Sequence, residues 1–475
     1  MLCLNQYDPG LMNVLADEIK MLELATTQEL CGTVQEAHGL SVRVSDLPVP
    51  IDATVKIVTA DGPESKAESV LLGQVIGFND QHTIVMPFGT TSGIRRGDPV
   101  VSLEFTQTVR VGPSLLGRVI DPMGRPIDDK GPLVDTMPRP LHPATIDPLE
   151  RPLIDIPLAT GIRAIDALCP VGRGQRIGVI AAPGIGKSVL LGMMARATAA
   201  DVTVIAMVGE RGREVRDFIE NQLGDNGLAN SVVVCATGDE PPLRRMRSAL
   251  VATTVAEYFR EQGLDVLLIM DSVTRFCQAQ RQIGLAAGEP PTAKGYPPSV
   301  YTTLSRLLER SGRTQQGSIT GFYAVLIEGD PDLSGTDPVS EAARGVLDGH
   351  VLLSRDLANR GHWPAIDVVK SISRVSDDVT DAQHRSARVQ VLQLVHAYRE
   401  VEDLVNIGAY AAGSNPDFDL AIACKGAIDS LLQQGRHESA TGDFKRTANQ
   451  LFALVEQIKL TQQQLTRGGG QRAPT

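Results

Sequence analysis

The sequence has little of what would place it in several large protein classes. Its six cysteines, Cys3, Cys31, Cys169, Cys235, Cys277 and Cys424, include no CxxC pair; scattered thiols of this kind fit a reduced, cytoplasmic protein and argue against a disulfide framework. The eight histidines show no HxxxH or mixed Cys/His spacing, which removes a structural zinc site. No apolar run approaches the roughly 18 residues that a membrane-spanning helix needs. The first residues also lack a basic region followed by an apolar one, so neither a cleaved signal nor a membrane anchor is expected. There is no basic surplus: the formal net charge is -11. A sequence-independent grip on nucleic-acid phosphates is therefore excluded as the main activity. Aromatic residues make up 4% and include a single tryptophan, so any flat, stacking surface has to come from few positions. At 475 residues the chain can still form about two to four domains with a sizeable core.

The stretch RIGVIAAPGIGKSVLLGMM, Arg176 to Met194, organises the rest. An apolar run leads through Pro183-Gly184-Ile185-Gly186 into a Leu- and Met-rich segment, which reads as strand, tight turn, helix. Glycines in the turn let successive N–H groups converge on one hollow, and the helix start adds its positive end. Such a hollow suits a polyphosphate. Ala182 to Val189 would line it, with Lys187 reaching the β- and γ-phosphates and the Ser188 hydroxyl taking one place on Mg2+. The general pattern GxxxxGK[ST] has Gly where this chain has Ala181; a plain glycine turn between core elements is the competing reading.

Along the chain, residues 8 to 25 read as a helix capped by Asp8, with Leu11, Leu15, Ile19 and Leu22 on one stripe, either packed on its own globule or docking a partner. From 27 to 103 the period becomes two, in many short strands separated by turns, which predicts a β-barrel. The connector from Val111 to Leu133 and the proline-rich run to Pro157 read as ordered surface loops. Between 162 and 374, short continuous apolar runs alternate with amphipathic stretches, as strands buried on both faces of a parallel sheet do. This predicts an α/β nucleotide-binding core with ligands at the carboxyl ends of the strands. Helical patterning follows over 379–460, with Val391, Leu394, Val395, Tyr398 and Val401 recurring at three and four, a second helix from Asp417 to Gln434 and a third from Phe444 to Leu460, and 466–475 reads as a disordered tail. The domain boundaries expected are 1–26, 27–103, 104–378, 379–465 and 466–475.

Two strand ends carry carboxylates. GLDVLLIMD ends in Asp271, which can hold Mg2+ through water, and Arg275 one turn later either faces the γ-phosphate or lies on the surface. VTVIAMV runs into Gly209-Glu210-Arg211, where Glu210 either orients the attacking water or caps a strand. Phosphoryl transfer leaves the protein little beyond positioning water and neutralising charge.

The segments GKSVLLGMMAR, VGERGREVRDFIE, DSVTRFCQAQRQIGLAAGEPPTAKGYPPSVYTTLSRLLERSG, SEAARGVLDGHVLLSRDLANRGHWPAID and SISRV resemble the type III export ATPases, relatives of rotary ATP synthase catalytic subunits. The resemblance spans nearly all of 27–435, and GKSVLLGMMAR is more similar to the flagellar members than to the injectisome ones. It implies a RecA-like P-loop ATPase core with an N-terminal β-barrel and a C-terminal helical domain, and ATP with Mg2+ at the site. It implies further that Glu210 is the catalytic carboxylate, that Arg211 and Arg275 contact the γ-phosphate, and that Arg374 is an arginine finger offered to a neighbouring subunit of a homohexamer. Trp363 falls where the family stacks Tyr or Phe on adenine, and a tryptophan face suits a purine. Tyr410 either closes the other side of that pocket or is a core aromatic. The implied partners are a coiled-coil stator-like regulator through the N-terminal helix, an export gate, a stalk protein, and export chaperones and substrates, with the ring peripheral at the inner face of the cytoplasmic membrane. The competing functions are a rotary synthase subunit, disfavoured by the lack of a DELSEED stretch, a ring-shaped RNA translocase, disfavoured by net acidity, and a nucleotide-binding subunit without turnover.

Overall fold

The computed structural model describes residues 30–60, 68–327, 337–438 and 443–469; the helix expected over 8–25 and the end of the chain from 470 lie outside them. Two compact units divide between Gln107 and Thr108.

The first unit is a closed barrel. Its strands are β1 (Cys31–His38), β2 (Ser41–Ser45), β3 (Thr54–Ala60), β4 (Glu68–Phe78), β5 (Thr83–Pro87) and β6 (Pro99–Glu104), in the order β1-β2-β5-β4-β3-β6, with β1 pairing β6 to remove the sheet edge. The two-residue period predicted from the sequence points Val42, Val44, Val55 and Ile57 inward, where Val75 and Val85 join them, all fully buried; Leu40 and Val70, on the same reading, are exposed. Each of the buried side chains contributes about 1.5–3 kcal/mol.

The second unit is built on a nine-stranded sheet. Its strands, in chain order, include β7 (Arg118–Ile120), β8 (Arg176–Ala181), β9 (Val202–Glu210), β10 (Ser231–Thr237), β11 (Asp265–Asp271), β12 (Ser318–Leu326), β13 (Gly349–Leu352) and β14 (Ile372–Ser373). Across the sheet they run β14-β13-β8-β12-β11-β9-β10-β7. Neighbours along this path are parallel except β14, which pairs antiparallel with β13; the ninth strand, Gly312–Arg313, lies off the path and pairs antiparallel with β12. The chain leaves β8 and skips past β12 and β11 to form β9. That crossover opens a crevice at the carboxyl ends of β8, β11 and β9. Every residue of β9 is buried, as the continuous apolar run required.

One expectation is corrected here. The connector read as surface loops contributes β7, an edge strand of the central sheet, with Val119 and Ile120 buried. Three residues are too few to display a period, and the run contains an arginine. Arg118 is tolerated there because Asp128 accepts from it through both oxygens, at 2.8 and 2.9 Å.

Helices around the sheet include α1 (Arg163–Leu168), α2 (Lys187–Ala197), α3 (Pro242–Glu261) and α4 (Val273–Ala286), followed by α5 (Ala382–Asn406), α6 (Pro416–Leu432) and α7 (Phe444–Gly469). The last of these runs into the stretch expected to be a disordered tail. Val391 and Leu394 of α5, Ala421 and Ile428 of α6, and Leu451 and Ile458 of α7 belong to one continuous apolar cluster with α1 and α2. The helical end therefore shares its core with the segment that carries the phosphate loop.

Candidate nucleotide site

The phosphate loop is fastened by its apolar members and leaves its polar ones outward. Ala182 and Ile185 are buried, whereas Pro183, Gly184 and Ser188 are exposed and Val189 is half-buried. Gly184 and Gly186 adopt φ of 80° and 83°. Gly186 has a second reason to lack a side chain: a Cβ there would lie 2.8 Å from the Trp363 ring. The structure thus brings Trp363, 43% exposed, to the mouth of the loop.

Lys187, at the start of α2, forms an ion pair with Asp271 and approaches Glu210 Oε1 at 3.7 Å. Three side chains from three separate elements meet at one point. Asp271 ends β11 and is 1% exposed; Glu210 ends β9 and is 8% exposed. Asp271 Oδ2 and Glu210 Oε1 are buried and accept no hydrogen bond. Burial, then the charge of Asp271, pushes the Glu210 carboxyl up to about 7, against the opposing pull of Lys187.

A break in the ladder aims Glu210. The β9–β10 register shifts between Val208 and Glu210, and Gly209 takes φ 71°. Such a bulge re-directs the residue that follows it. A Cβ at Gly209 would also meet Arg275 Cβ at 3.1 Å. Ser272 caps α4 by accepting from Arg275 N at 3.4 Å, so Arg275 starts its helix directly beside the bulge.

Three of the residues expected at the site stand elsewhere. Arg211 is solvent-exposed and donates to Glu214 at 3.1 Å. Tyr410 donates its hydroxyl to Asn415 O and Asp419 Oδ1, at 3.1 and 3.0 Å, and packs edge-on against Phe418. Those contacts belong to its own turn, and the residue is half-buried. Arg374 is exposed; its N donates to Asp348 O, and Asp348 N donates to Arg176 O, both at 2.9 Å. It is therefore level with the first residue of β8, at the opposite end of that strand from the loop.

Other residues were not singled out by the sequence. Arg355 Nη2 reaches Pro183 O at 3.5 Å. Gln434, 4% exposed, accepts from Arg163 N and donates to Gly161 O, while its own N donates to Trp363 O at 2.8 Å. It ties the tryptophan segment to the start of α1 and to the end of α6. Nothing local marks it, because its partners lie far away in sequence. Arg355 sits inside the LSRDLA stretch, where no spacing marks it.

The donor set suits a hydrated divalent ion. Among the described residues no three His, Cys, Asp or Glu side chains converge as a metal cage, and Mg2+ typically takes only one or two carboxylates besides waters and phosphates. The unpartnered Asp271 Oδ2 and the exposed Ser188 hydroxyl are that kind of ligand pair. Among the described residues no helix is long and apolar enough to cross a membrane.

Comparison with known proteins agrees with this geometry. The ATP synthase alpha/beta family nucleotide-binding domain matches residues 161–373, the beta-barrel domain of the same family 34–104, and the C-terminal domain of the T3SS ATPase EscN 380–453. The type 3 secretion system ATPase of Xanthomonas euvesicatoria is 45% identical over 88% of this chain and 94% of its own length. The flagellum-specific ATP synthase of Salmonella typhimurium is 48% identical over 89% and 93%. The assembled ATPase EscN from enteropathogenic E. coli superposes with a TM-score of 0.82 at 40% identity, covering 89% of this chain and 100% of that one. A further structure holds EscN in complex with its central stalk EscO, with a TM-score of 0.80. With a closed barrel, a P-loop core and a helical end in one order, the chain belongs to the family of type III export ATPases that includes the type 3 secretion and flagellum-specific enzymes.

Proposed function

We propose that the chain hydrolyses Mg-ATP as a homohexamer whose active sites are completed between subunits, and that it energises protein export through a type III apparatus of the flagellar branch. The observation that carries this reading is the position of Arg374. A six-residue strand rising about 3.3 Å per residue spans on the order of 16 Å, so the guanidinium serves a neighbour's nucleotide and not its own. Assembly of the relative EscN supports the ring. The flagellar assignment rests on GKSVLLGMMAR, since relatives from both branches are similarly close.

In this reading the loop amides and Lys187 bind the polyphosphate, and phosphate oxygens compete with Glu210 and Asp271 for the ammonium. Ser188 and Asp271 would hold Mg2+, which neutralises charge on the phosphates when bound. Glu210, freed of its counter-charge, accepts a hydrogen bond from the attacking water and orients it. Arg275 and the neighbour's Arg374 stabilise charge on the transferring group, and Trp363 carries the adenine. Arg211 would reach the γ-phosphate only by leaving Glu214. Residues 8–25 dock a coiled-coil regulator, a stalk protein joins the ring, as EscN is found in complex with its central stalk EscO, and the ring works on export chaperones and substrates near the gate, at the inner face of the cytoplasmic membrane.

Mixing tests the shared site. Glu210→Gln and Arg374→Ala chains should each be inactive alone. Co-assembled, they should regain hydrolysis, because some junctions then pair an intact acid with an intact finger. A mixture as inactive as its components would refute the assignment. Deleting the gene should abolish motility and spare any injectisome secretion; the reverse phenotype would move the chain to the other branch.

A further inference from the structure

The two most exposed large apolar side chains among the described residues lie four positions apart. Leu149 is 96% exposed and Leu153 86%, on a strap of residues 147–156. The backbone of that strap is fastened along its length. Asp147 accepts from Leu149 N at 2.9 Å and so caps the turn Pro148–Glu150. Arg151 donates to Glu309 O at 2.8 Å and to Ser311 O at 3.3 Å. Arg313 donates to Leu153 O at 2.8 Å and pairs with Asp155, while Arg173 N donates to Ile156 O at 2.9 Å. Single leucines in water are ordinary. Two nearly bare ones on a strap that cannot turn them inward mark a contact with another molecule.

The anchors lie at the amino end of the sheet. Gly312 and Arg313 pair with Ile319 and Ser318, the first residues of β12. Glu309 pairs with both Arg151 and Arg176, the latter being the first residue of β8. Arg176 in turn donates to both carboxylate oxygens of Asp348 at 3.0 Å, and the backbone of Asp348 holds Arg374. One run of ion pairs thus joins the strap to Arg374, and Ile372, 53% exposed, adds apolar surface two residues before it. The nucleotide site stands at the other end of these strands. When Arg374 serves a neighbour's nucleotide, the amino end of one copy faces the carboxyl end of the next. Such a head-to-tail contact repeats around a ring.

We infer that the strap is a ring-closing contact: Leu149 and Leu153 pack on the carboxyl end of the next copy of this chain and set how far Arg374 reaches into it. The occupant is a second copy because the strap shares its anchoring network with the residue that serves that copy's nucleotide. This rests on the shared site proposed above and names the surface that brings its two halves together. The strap lies between the segments that match the beta-barrel and nucleotide-binding domains of the family, so no role comes to it from either.

The test uses the full chain with Mg2+ and a non-hydrolysable ATP analogue, and reads the ring population by mass photometry over a dilution series. Leu149→Asp combined with Leu153→Asp should raise the concentration needed for assembly by about ten- to hundredfold for each leucine lost. Binding of the analogue by the dilute single chain, measured by calorimetry, and thermal unfolding should match the parent. Hydrolysis per chain should fall in dilute solution and return when the variant is concentrated; Arg374→Ala should show no such return. If the aspartate pair does not fold, Leu149→Ser with Leu153→Ser serves instead, and assembly must still weaken. A folded variant that assembles at the parent's concentration overturns the contact, whether the strap is then idle or serves a different protein. Loss of analogue binding by the dilute variant also overturns it, since the damage then lies within one chain. A parent that forms no ring at any concentration removes the shared site and the contact together, whereas a parent ring that the variant matches removes the contact alone.

Discussion

The two ends of the parallel sheet are built on opposite principles. At the carboxyl end Lys187, Glu210 and Asp271 are drawn together out of water, and burial with the charge of Asp271 raises the Glu210 carboxyl. At the amino end Arg374 is exposed and anchored by its backbone to Asp348, and its guanidinium donates to Arg344 O at 3.5 Å. Buried charges compensated within one chain make a site that is formed before anything binds. An exposed, unpaired cation makes one half of a site. In the function proposed above, this chain prepares the cradle and the acid by itself and leaves the last positive charge to another copy.

The sharpest way to break the comparison is Lys187→Ala. Nucleotide binding should be abolished in a fluorescence or calorimetric titration, and Glu210 and Asp271 lose their shared counter-charge, so thermal stability should fall as well. Next comes Arg374→Ala, for which turnover should drop by about 10³ to 10⁵ while nucleotide affinity stays near normal. Equal losses of both would mean that the two ends are not separate devices.

A smaller effect distinguishes the ends by pH. The Glu210 carboxyl sits at about 7 in the fold and near 4.5 in an unfolded chain, so the folded chain binds more protons between those values. Stability from this group therefore falls as pH rises through that window. In kcat/KM the opposite sense applies: activity should climb as pH passes through about 7, because the ionised form orients water. Glu210→Gln should flatten the unfolding slope measured by urea titration across the window, and Arg374→Ala should leave it as it is.

The smallest expected change is at Gln434. Replacing it by Ala strips buried partners from Trp363 and Arg163, costing about 1–3 kcal/mol of stability. KM for ATP should rise a few-fold with kcat little altered. An unchanged KM would mean that the tryptophan segment holds its place without that tie.

Much of the carboxyl end was legible from the sequence because its parts are local. GKS in a strand–turn–helix context located the loop, and apolar runs ending in Glu210 and Asp271 located the strand ends. The period of two in Val42, Val44, Val55 and Ile57 gave the barrel. What escaped was whatever depends on distant pairings. The strand Arg118–Ile120 is an element only because Val232 to Val234 lie beside it. The bulge at Gly209 has no signature beyond a glycine. Gln434 acts through residues on the far side of the chain.

Trp363 is the sole indole in 475 residues, and it packs over Gly186 at the phosphate loop. The protein therefore carries a built-in optical probe. Its intrinsic emission comes from a single place, at the site where nucleotide would enter, with no background from other tryptophans. Occupancy of the site, and its change during a catalytic cycle, can be followed in the unlabelled chain by the quenching or shift of that one band.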